Sequence, residues 1–227
     1  MLPRALLLDL DGTLIDSEPF HAESIARFLA SQGLELDGDE RDFVIGHAWQ
    51  DIHVQLRVQE RLGMDLDTLR AGAIAVKPAI LADGFKMTVL PGAVELVQLA
   101  EELGIPACIV SGSSRLEIAQ ALEQLPVGRL LQFTMGAEDY PRGKPAPDGY
   151  RMAAERLAVP PSACLVVEDS AAGIASGLAA GMRVLATRAA TPGPGEPGHQ
   201  DQGAAHRVVD GLEVIDEALL RAVMVPQ

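Results

Sequence analysis

The hydrophobic pattern of the chain begins as a strand and then becomes helical. The unbroken apolar run Ala5-Leu6-Leu7-Leu8 predicts a parallel strand that is buried on both faces. Residues 18–82 show helical spacing of apolar positions with no convincing strand. We expect helices over about 18–32, 38–45, 49–62 and 66–82, the first of them capped by Ser17 with Pro19 in its first turn. The pattern therefore predicts a helical insert directly after the first strand.

From Pro91 onward the pattern alternates between helix and strand. We expect helices over 92–103, 115–125, 148–157, 170–180 and 212–223, and strands over 105–110, 131–136, 163–167, 183–187 and 207–209. Ser114 and Glu117 have the spacing of a capping box for the second of these helices. Repeated strand–helix units predict an α/β fold, a parallel sheet with helices on both faces. Residues 188–205 are rich in Pro and Gly and predict a mobile surface loop, either a lid or, more simply, a tolerated insertion.

Two carboxylates follow the first predicted strand. Asp9 and Asp11 are separated by one residue, a spacing that directs both side chains to one site, and Gly12 then permits a sharp turn. Two carboxylates so close are stabilised by a shared proton or by a cation, and Mg²⁺ favours such oxygen ligands. Asp9 is the candidate nucleophile, which would form an aspartyl-phosphate, and Asp11 the candidate acid and base. The simpler alternative is a solvated Asp-Gly turn after a core strand.

Read whole, the segment resembles the D-x-D-G-T signature of the haloacid dehalogenase superfamily of phosphohydrolases. Residues 14–18, Leu-Ile-Asp-Ser-Glu, are similar to the subgroup that contains phosphoglycolate phosphatase and β-phosphoglucomutase. The resemblance implies a Rossmann-like core domain over 1–16 and 86–227 and an inserted helical cap domain over 17–85. The flanking segments 13–17 and 83–90 would be the hinges of the cap.

Two further motifs resemble those that bind the phosphoryl group in this family. Ser111 follows a predicted strand and, with the backbone of Gly112 and Ser113, would hold the transferring phosphoryl group. Lys144, in the sequence Gly-Lys-Pro-Ala-Pro, would neutralise charge on Asp9 and on the phosphate. The alternatives are that the serines only cap the next helix and that the lysine faces solvent.

A fourth motif resembles the part of the family's site that completes metal binding. Glu168 and Asp169 follow the predicted strand 163–167. The resemblance implies that Asp169 binds Mg²⁺ together with the Asp9 carboxylate and the Asp11 backbone carbonyl, with Glu168 in direct contact or just behind. Capping of the following helix by Asp169 or Ser170 is the structural alternative.

Three residues of the predicted cap are candidates for substrate binding. Glu18 and His21 match positions that face the active site in the sugar-phosphate branch of the family. Where β-phosphoglucomutases carry an arginine for the distal phosphate, this sequence has Trp49. An indole carries no charge to grip a second phosphate, so this difference favours hydrolysis over mutase activity, unless Arg57 or Lys77 supplies the missing charge.

The charge and composition of the chain limit the classes of binding partner that it can have. The chain of 227 residues has 18 Lys+Arg against 32 Asp+Glu, a formal net charge of -14, which argues against nucleic acid and anionic membranes as partners. Any phosphate site must therefore be positive locally. Cys108 and Cys164 lie in apolar runs and are predicted to be small core residues. We find no signal peptide pattern and no run of transmembrane length, and we expect a cytoplasmic monomer.

These observations predict a Mg²⁺-dependent phosphatase that acts on a small phosphorylated metabolite, such as a sugar phosphate or a similar phosphomonoester. The nearest alternative is a phosphosugar mutase, which would isomerise its substrate without accumulating phosphate. A receiver-like module also has an acidic, Mg²⁺-binding strand end, but it needs neither a cap nor the acid at Asp11. A catalytically inactive binding protein would not need the complete set of acids and the lysine.

Overall fold

The computed structural model describes residues 1–225, and they form two compact units. The core unit contains Met1–Asp16, Thr88–Thr191 and the described chain from Gln200 onward. The helical unit contains Ser17–Met87 and Pro192–His199. The Pro/Gly-rich segment is thus divided between the units, and it contains neither helix nor strand.

The core unit contains a six-stranded parallel sheet. The strands of the described chain are β1 (Ala5–Leu8), β2 (Ile15–Asp16), β3 (Thr88–Val89), β4 (Ala107–Val110), β5 (Leu131–Met135), β6 (Cys164–Glu168), β7 (Arg183–Thr187) and β8 (Arg207–Val209). The sheet order is β5-β4-β1-β6-β7-β8, and β2 pairs with β3 in a separate antiparallel pair. Leu8 of β1 pairs with Ile109 of β4 on one side and with Val167 of β6 on the other. The predicted α/β fold is confirmed, and the residues that follow these three strands lie at one edge of the sheet.

The helical unit is built from α1 (Glu18–Ser31), α2 (Gly38–Val44), α3 (Trp49–Gln55), α4 (Val58–Leu62) and α5 (Leu66–Ala82). It has its own buried core, which includes Leu29, Leu56 and Leu69. The predicted continuous helix over 49–62 is wrong, because Arg57 has a φ of 53°, a left-handed conformation that ends one helix and starts the next. The prediction that the Ser17 side chain caps α1 is also wrong. Ser17 precedes the helix, but its side chain makes no capping hydrogen bond.

The helices of the core unit are α6 (Ala93–Glu102), α7 (Arg115–Leu122), α8 (Asp148–Arg156), α9 (Ala171–Ala179) and α10 (Glu217–Val223). The last predicted helix was too long: Leu212–Val214 is a 3-10 turn, and α10 begins only after Asp216, whose side chain accepts a hydrogen bond from the Leu219 N–H. No helix in the described part of the chain is long and apolar enough to cross a membrane.

Strand burial explains the uninterrupted apolar run at the start of the chain. All four residues of β1 are fully buried, as a central parallel strand covered on both faces requires. Cys108 and Cys164 are free and buried, as predicted. Burial raises the pKa of the Cys108 thiol to about 12 and that of Cys164 to about 11, so both thiols are unreactive core groups.

Candidate active site

Three neighbouring strands place polar side chains at the carboxyl edge of the sheet. Asp9 follows β1, Ser111 follows β4, and Glu168 is the last residue of β6. Because β1 lies between β4 and β6, the three groups converge, as expected for a ligand site of an open parallel sheet. All three residues are buried.

Lys144 lies between two of these carboxylates. Its ammonium group donates hydrogen bonds to Asp9 Oδ1 and Glu168 Oε1, and only 13% of its side chain is exposed. The Lys144 Nζ atom also lies 5.2 Å from the ring centroid of the fully buried Tyr150. The lysine therefore points into the site, not into solvent.

Both oxygen atoms of the Glu168 carboxylate accept hydrogen bonds. Its Oε1 accepts a hydrogen bond of 3.0 Å from the Tyr150 hydroxyl, and its Oε2 accepts bonds of 3.0 Å from the Asp169 N–H and from both the N–H and the hydroxyl of Ser170. A Cβ atom at Gly173 would lie 1.7 Å from Glu168 Oε1. The first turn of α9 therefore needs glycine at this position to accommodate the carboxylate.

The carboxylates of Asp9, Glu168 and Asp169 could hold a metal ion. One oxygen atom from each can be chosen so that all three lie within 4.8 Å of one another. Asp169 Oδ1 accepts a 3.2 Å hydrogen bond from the Thr13 hydroxyl, and a Cβ atom at Gly12 would lie only 2.2 Å from Asp169 Oδ2. This set of hard oxygen donors, with glycine keeping space beside it, fits Mg²⁺.

The pKa shifts of the ionisable groups in this cluster also fit a bound cation. Burial raises the pKa of Asp9 well above its ordinary value, Lys144 opposes this, and neighbouring carboxylates reinforce it. Burial, followed by Glu168, raises the pKa of Asp169 to about 7. Burial alone would lower the pKa of Lys144, but Asp9 and Glu168 outweigh it and hold the pKa well above its ordinary value. Burial, reinforced by the neighbouring carboxylates, therefore favours the protonated forms of Asp9 and Asp169, and a bound divalent cation would favour their ionised forms.

Asp11 makes a different set of contacts. Its Oδ2 accepts hydrogen bonds from the Ser113 hydroxyl at 2.7 Å and from the Ser111 hydroxyl at 3.0 Å. The Ser111 oxygen in turn accepts a bond of 2.9 Å from the Ser113 N–H. The Asp11 side chain is not among the three carboxylates grouped above. The structure thus separates the two acids: Asp9 belongs to the group of three carboxylates, and Asp11 is bound by the serines.

The capping alternatives are settled by neighbouring serines. Ser114 caps α7 in a capping box with Glu117, and Ser170 caps α9 by accepting a hydrogen bond from the Gly173 N–H. Neither Ser111 nor Asp169 is used as a cap. A Cβ atom at Gly112 would meet no described atom within 4 Å, so the space beside that backbone is open.

The residues that were predicted to bind substrate from a cap domain lie in the helical unit. Glu18 Oε2 accepts a 3.0 Å hydrogen bond from the Gly46 N–H. The rings of His21 and Trp49 meet edge to face with centroids 5.7 Å apart, and the Arg70 guanidinium lies 6.0 Å from the Trp49 ring centroid. The three predicted residues therefore take part in contacts within this unit.

Several site residues were missed in the sequence. Tyr150 donates to Glu168 from six positions beyond Lys144, and Thr13 donates to Asp169 from within the quoted D-x-D-G-T segment. Thr13 stands in the D-x-D-G-T motif itself, directly after Gly12, so the motif was an available signal. Nothing in the sequence indicated that the Tyr150 hydroxyl would reach a carboxylate.

Comparison with known proteins identifies the family. A family model described as haloacid dehalogenase-like hydrolase matches residues 3–181. The chain belongs to this hydrolase family. It is 32% identical over 203 residues to hexitol phosphatase A of Escherichia coli (strain K12), covering 84% of this chain and 86% of the relative. It is 31% identical over 202 residues to protein CbbY of Rhodobacter capsulatus, covering 81% of this chain and 85% of that protein.

A solved structure extends the likeness to the fold of this hydrolase family. The crystal structure of a putative β-phosphoglucomutase from Thermotoga maritima has a TM-score of 0.75 and 21% identity, and the match covers 97% of this chain and 99% of that one. At this identity the likeness concerns the fold. Together with the family match and the phosphatase relative, it confirms the predicted superfamily and its subgroup, and the chain is a phosphoric monoester hydrolase.

Proposed function

We propose that the protein is a Mg²⁺-dependent phosphatase that hydrolyses a small phosphorylated metabolite, a sugar phosphate or a similar phosphomonoester, through an aspartyl-phosphate. The observation that carries the proposal is the surroundings of Asp9. Its buried carboxylate lies against the Lys144 ammonium and within a group of three carboxylates that fits a metal ion. These are the surroundings that an anionic nucleophile needs when it attacks an anionic phosphate.

The first half of the reaction transfers the phosphoryl group to the protein. A carboxylate oxygen of Asp9 attacks phosphorus, and the bond from phosphorus to the ester oxygen breaks. Asp11 gives its proton to the leaving alkoxide, which departs as the alcohol. The Ser111 and Ser113 hydroxyls, which both donate to Asp11 Oδ2, orient this acid while its other oxygen can carry the proton.

The second half of the reaction regenerates the nucleophile. The Asp11 carboxylate takes a proton from water, the water oxygen attacks the phosphorus of the aspartyl-phosphate, and inorganic phosphate leaves Asp9. Lys144 balances charge on Asp9 in both halves. Mg²⁺ held by Asp9, Glu168 and Asp169 would neutralise charge on the phosphate oxygens.

Hydrolysis is proposed over isomerisation because of the cations in the helical unit. A mutase must hold the second phosphate of a bisphosphate, which calls for a cation at the place where this chain has Trp49. Arg57 is paired with Glu60, and the buried Lys77 ammonium lies 5.5 Å from the ring centroid of Phe20. Both cations considered from the sequence therefore have local partners, which supports water as the acceptor. A third cation, the Arg70 guanidinium, lies 6.0 Å from the Trp49 ring centroid, and the isomerisation assay below tests whether it can hold a second phosphate.

We further propose that residues 17–85 are a cap domain inserted into a core domain over 1–16 and 86–227, with hinges at 13–17 and 83–90. Glu18, His21 and Trp49 would contribute to substrate selection from that cap. We propose a cytoplasmic monomer whose partner is the small phosphorylated substrate, with neither nucleic acid nor membrane as partner. The formal net charge of -14 supports this choice.

A phosphate-release screen tests the function. Purified protein is incubated with hexitol phosphates, other sugar phosphates, phosphoglycolate and nucleotides, each with Mg²⁺ or with EDTA, and Asp9→Asn is the matched inactive control. We expect Mg²⁺-dependent release from at least one substrate by the wild type alone. Release that persists in EDTA or in Asp9→Asn would refute the proposed site.

A second assay separates hydrolysis from isomerisation. The protein receives Mg²⁺ and β-glucose 1-phosphate with a trace of the bisphosphate, and glucose 6-phosphate and free phosphate are followed together. Rapid formation of glucose 6-phosphate with little free phosphate would favour a mutase.

A further inference from the structure

Gln202 holds the backbone of the loop that carries Asp169. Its side chain is buried, with 4% exposed, and its Nε2 donates hydrogen bonds of 2.6 Å to the Asp169 carbonyl and 2.7 Å to the Thr187 carbonyl. A longer contact of 3.2 Å reaches the Thr191 hydroxyl. An amide nitrogen has two hydrogens, so the two short bonds to carbonyls use both.

The two carbonyls lie just beyond the pairing of β6 with β7. The register between β6 and β7 ends at the pair Glu168 and Ala186, and Asp169 and Thr187 are the next residues along the chain. Thr187 still pairs with Val209 of β8 on the other side of β7. The Gln202 amide therefore binds the first carbonyl beyond the β6–β7 ladder on each side. It ties the metal-site loop to the end of β7.

The oxygen atom of the Gln202 amide indicates that the residue is needed as a donor. Within residues 1–225, Gln202 Oε1 is a buried side-chain oxygen that accepts no hydrogen bond. Burying an unpaired carbonyl oxygen is destabilising, because the oxygen loses its hydrogen bonds to water. Turning the amide over would place this oxygen against two carbonyl oxygens, which is worse. The side chain thus tolerates one unpaired acceptor in order to supply two donors.

A second glutamine contacts the same loop two residues further on. The Ala171 N–H, in the first turn of α9, donates a 3.1 Å hydrogen bond to Gln200 Oε1. Gln200 and Gln202 therefore hold the segment 169–171 at its two ends, one through a carbonyl and one through an N–H.

We propose that Gln202 is a positioning residue for metal binding: through the Asp169 carbonyl it holds the Asp169 carboxylate in the orientation that a divalent cation requires. The inference rests on the proposed metal site. Without the two donors the Asp169 carbonyl loses its link to β7, and the direction of the carboxylate then depends on the hydrogen bonds from the Thr13 hydroxyl and from the Asp169 N–H to Glu168. Loss of such supporting contacts typically weakens metal binding about 10- to 100-fold.

The test measures metal binding directly. Mn²⁺, which electron paramagnetic resonance detects, is titrated into metal-free wild type and into Gln202→Met, which keeps the length of the side chain and removes its donors. The matched control is Arg183→Met, which removes hydrogen bonds to the Val223 and Val225 carbonyls at the opposite end of β7 from Thr187. All titrations are made well below the unfolding temperature of each variant.

We expect the Kd for Mn²⁺ to rise about tenfold in Gln202→Met and to stay at the wild-type value in Arg183→Met. The Mg²⁺ concentration for half-maximal phosphate release should rise by the same factor. Should Gln202→Met fail to fold, Gln202→Asn decides, because its shorter amide cannot keep both carbonyls. A wild-type Kd in the folded Gln202 variant would overturn the role of Gln202 and leave the metal site standing. A wild type that binds no Mn²⁺ would overturn the metal site itself and, with it, this role.

Discussion

Replacing Lys144 by methionine tests the charge balance of the site. The substitution keeps a side chain of similar length and removes the ammonium group that pairs with Asp9 and Glu168. Both carboxylates are buried, with side-chain exposures of 7% and 0%. Removing one partner from a buried ion pair typically costs about 3–5 kcal/mol, because the remaining charge is left without compensation. We expect a loss of about 3 kcal/mol in the free energy of unfolding at pH 8 in EDTA, at the lower end because Asp9 can take up a proton.

The pH dependence of this loss follows from the carboxylates that remain. Without Lys144, the lowering influence on the pKa of Asp9 is gone and the pKa rises further. At pH 5 the carboxyl groups of the variant can hold protons and no longer repel one another, so the difference from the wild type should shrink. Added Mg²⁺ should also reduce it at pH 8, because an ion that binds only the folded state stabilises that state.

The assay is urea unfolding followed by circular dichroism, at pH 8 and pH 5, with EDTA or Mg²⁺. Arg142→Met is the matched control, since Arg142 pairs with Asp148 but has 69% of its side chain exposed. An exposed pair contributes about 0–1 kcal/mol, so this control should change little. Phosphate release by Lys144→Met should fall about 100- to 1,000-fold, the usual effect of losing one transition-state donor. A stability loss equal to that of Arg142→Met, or one that does not depend on pH, would refute the reasoning.

The remaining predictions concern the two acids and the metal. Asp9→Asn should abolish turnover and leave the circular dichroism spectrum unchanged, because it removes a nucleophile and little core volume; turnover above a small fraction of wild type would exclude Asp9 as nucleophile. Asp11→Asn should slow turnover about 100- to 10,000-fold and keep beryllofluoride binding, since the proton donor is lost while Asp9 remains; the reverse pattern in the two variants would exchange their roles. Mg²⁺ affinity should rise with pH through about 7, because the raised pKa of Asp169 lets protons compete with the metal below that pH, and calorimetry showing equal affinity at pH 5.5 and 8 would contradict this. In the metal-free protein the same raised pKa makes the folded state bind more protons than the unfolded state, so this group's contribution to stability falls as pH rises from about 4 to about 7.

The sequence alone determined the features that depend on short stretches of chain. The buried run of β1, the capping box of Ser114 and Glu117, and the alternation of helix and strand all follow from local spacing, and each was confirmed. The convergence of Asp9, Ser111 and Glu168 was also predictable, because parallel strands end at one edge and the resemblance to the family placed β1 in the middle.

The local sequence pattern predicted helix boundaries less well where the backbone conformation of a single residue determines them. The apolar spacing over 49–62 continues across a left-handed residue at Arg57, so periodicity could not reveal the break between α3 and α4. Similarly, Ser17 has the residue type and position of a cap, but its φ of -96° and ψ of -5° are not those of a residue whose side chain turns back to the helix.

Only the tertiary structure decided how the site's polar groups are paired. The partners of the Glu168 carboxylate come from the loop of Lys144, from α8 through Tyr150 and from its own turn, and the partners of Asp11 come from the serines after β4. Gln202 shares no motif with Asp169, yet it binds that residue's carbonyl from 33 positions away. Such pairings depend on the direction of individual side chains in a packed fold, which residue type and spacing do not specify.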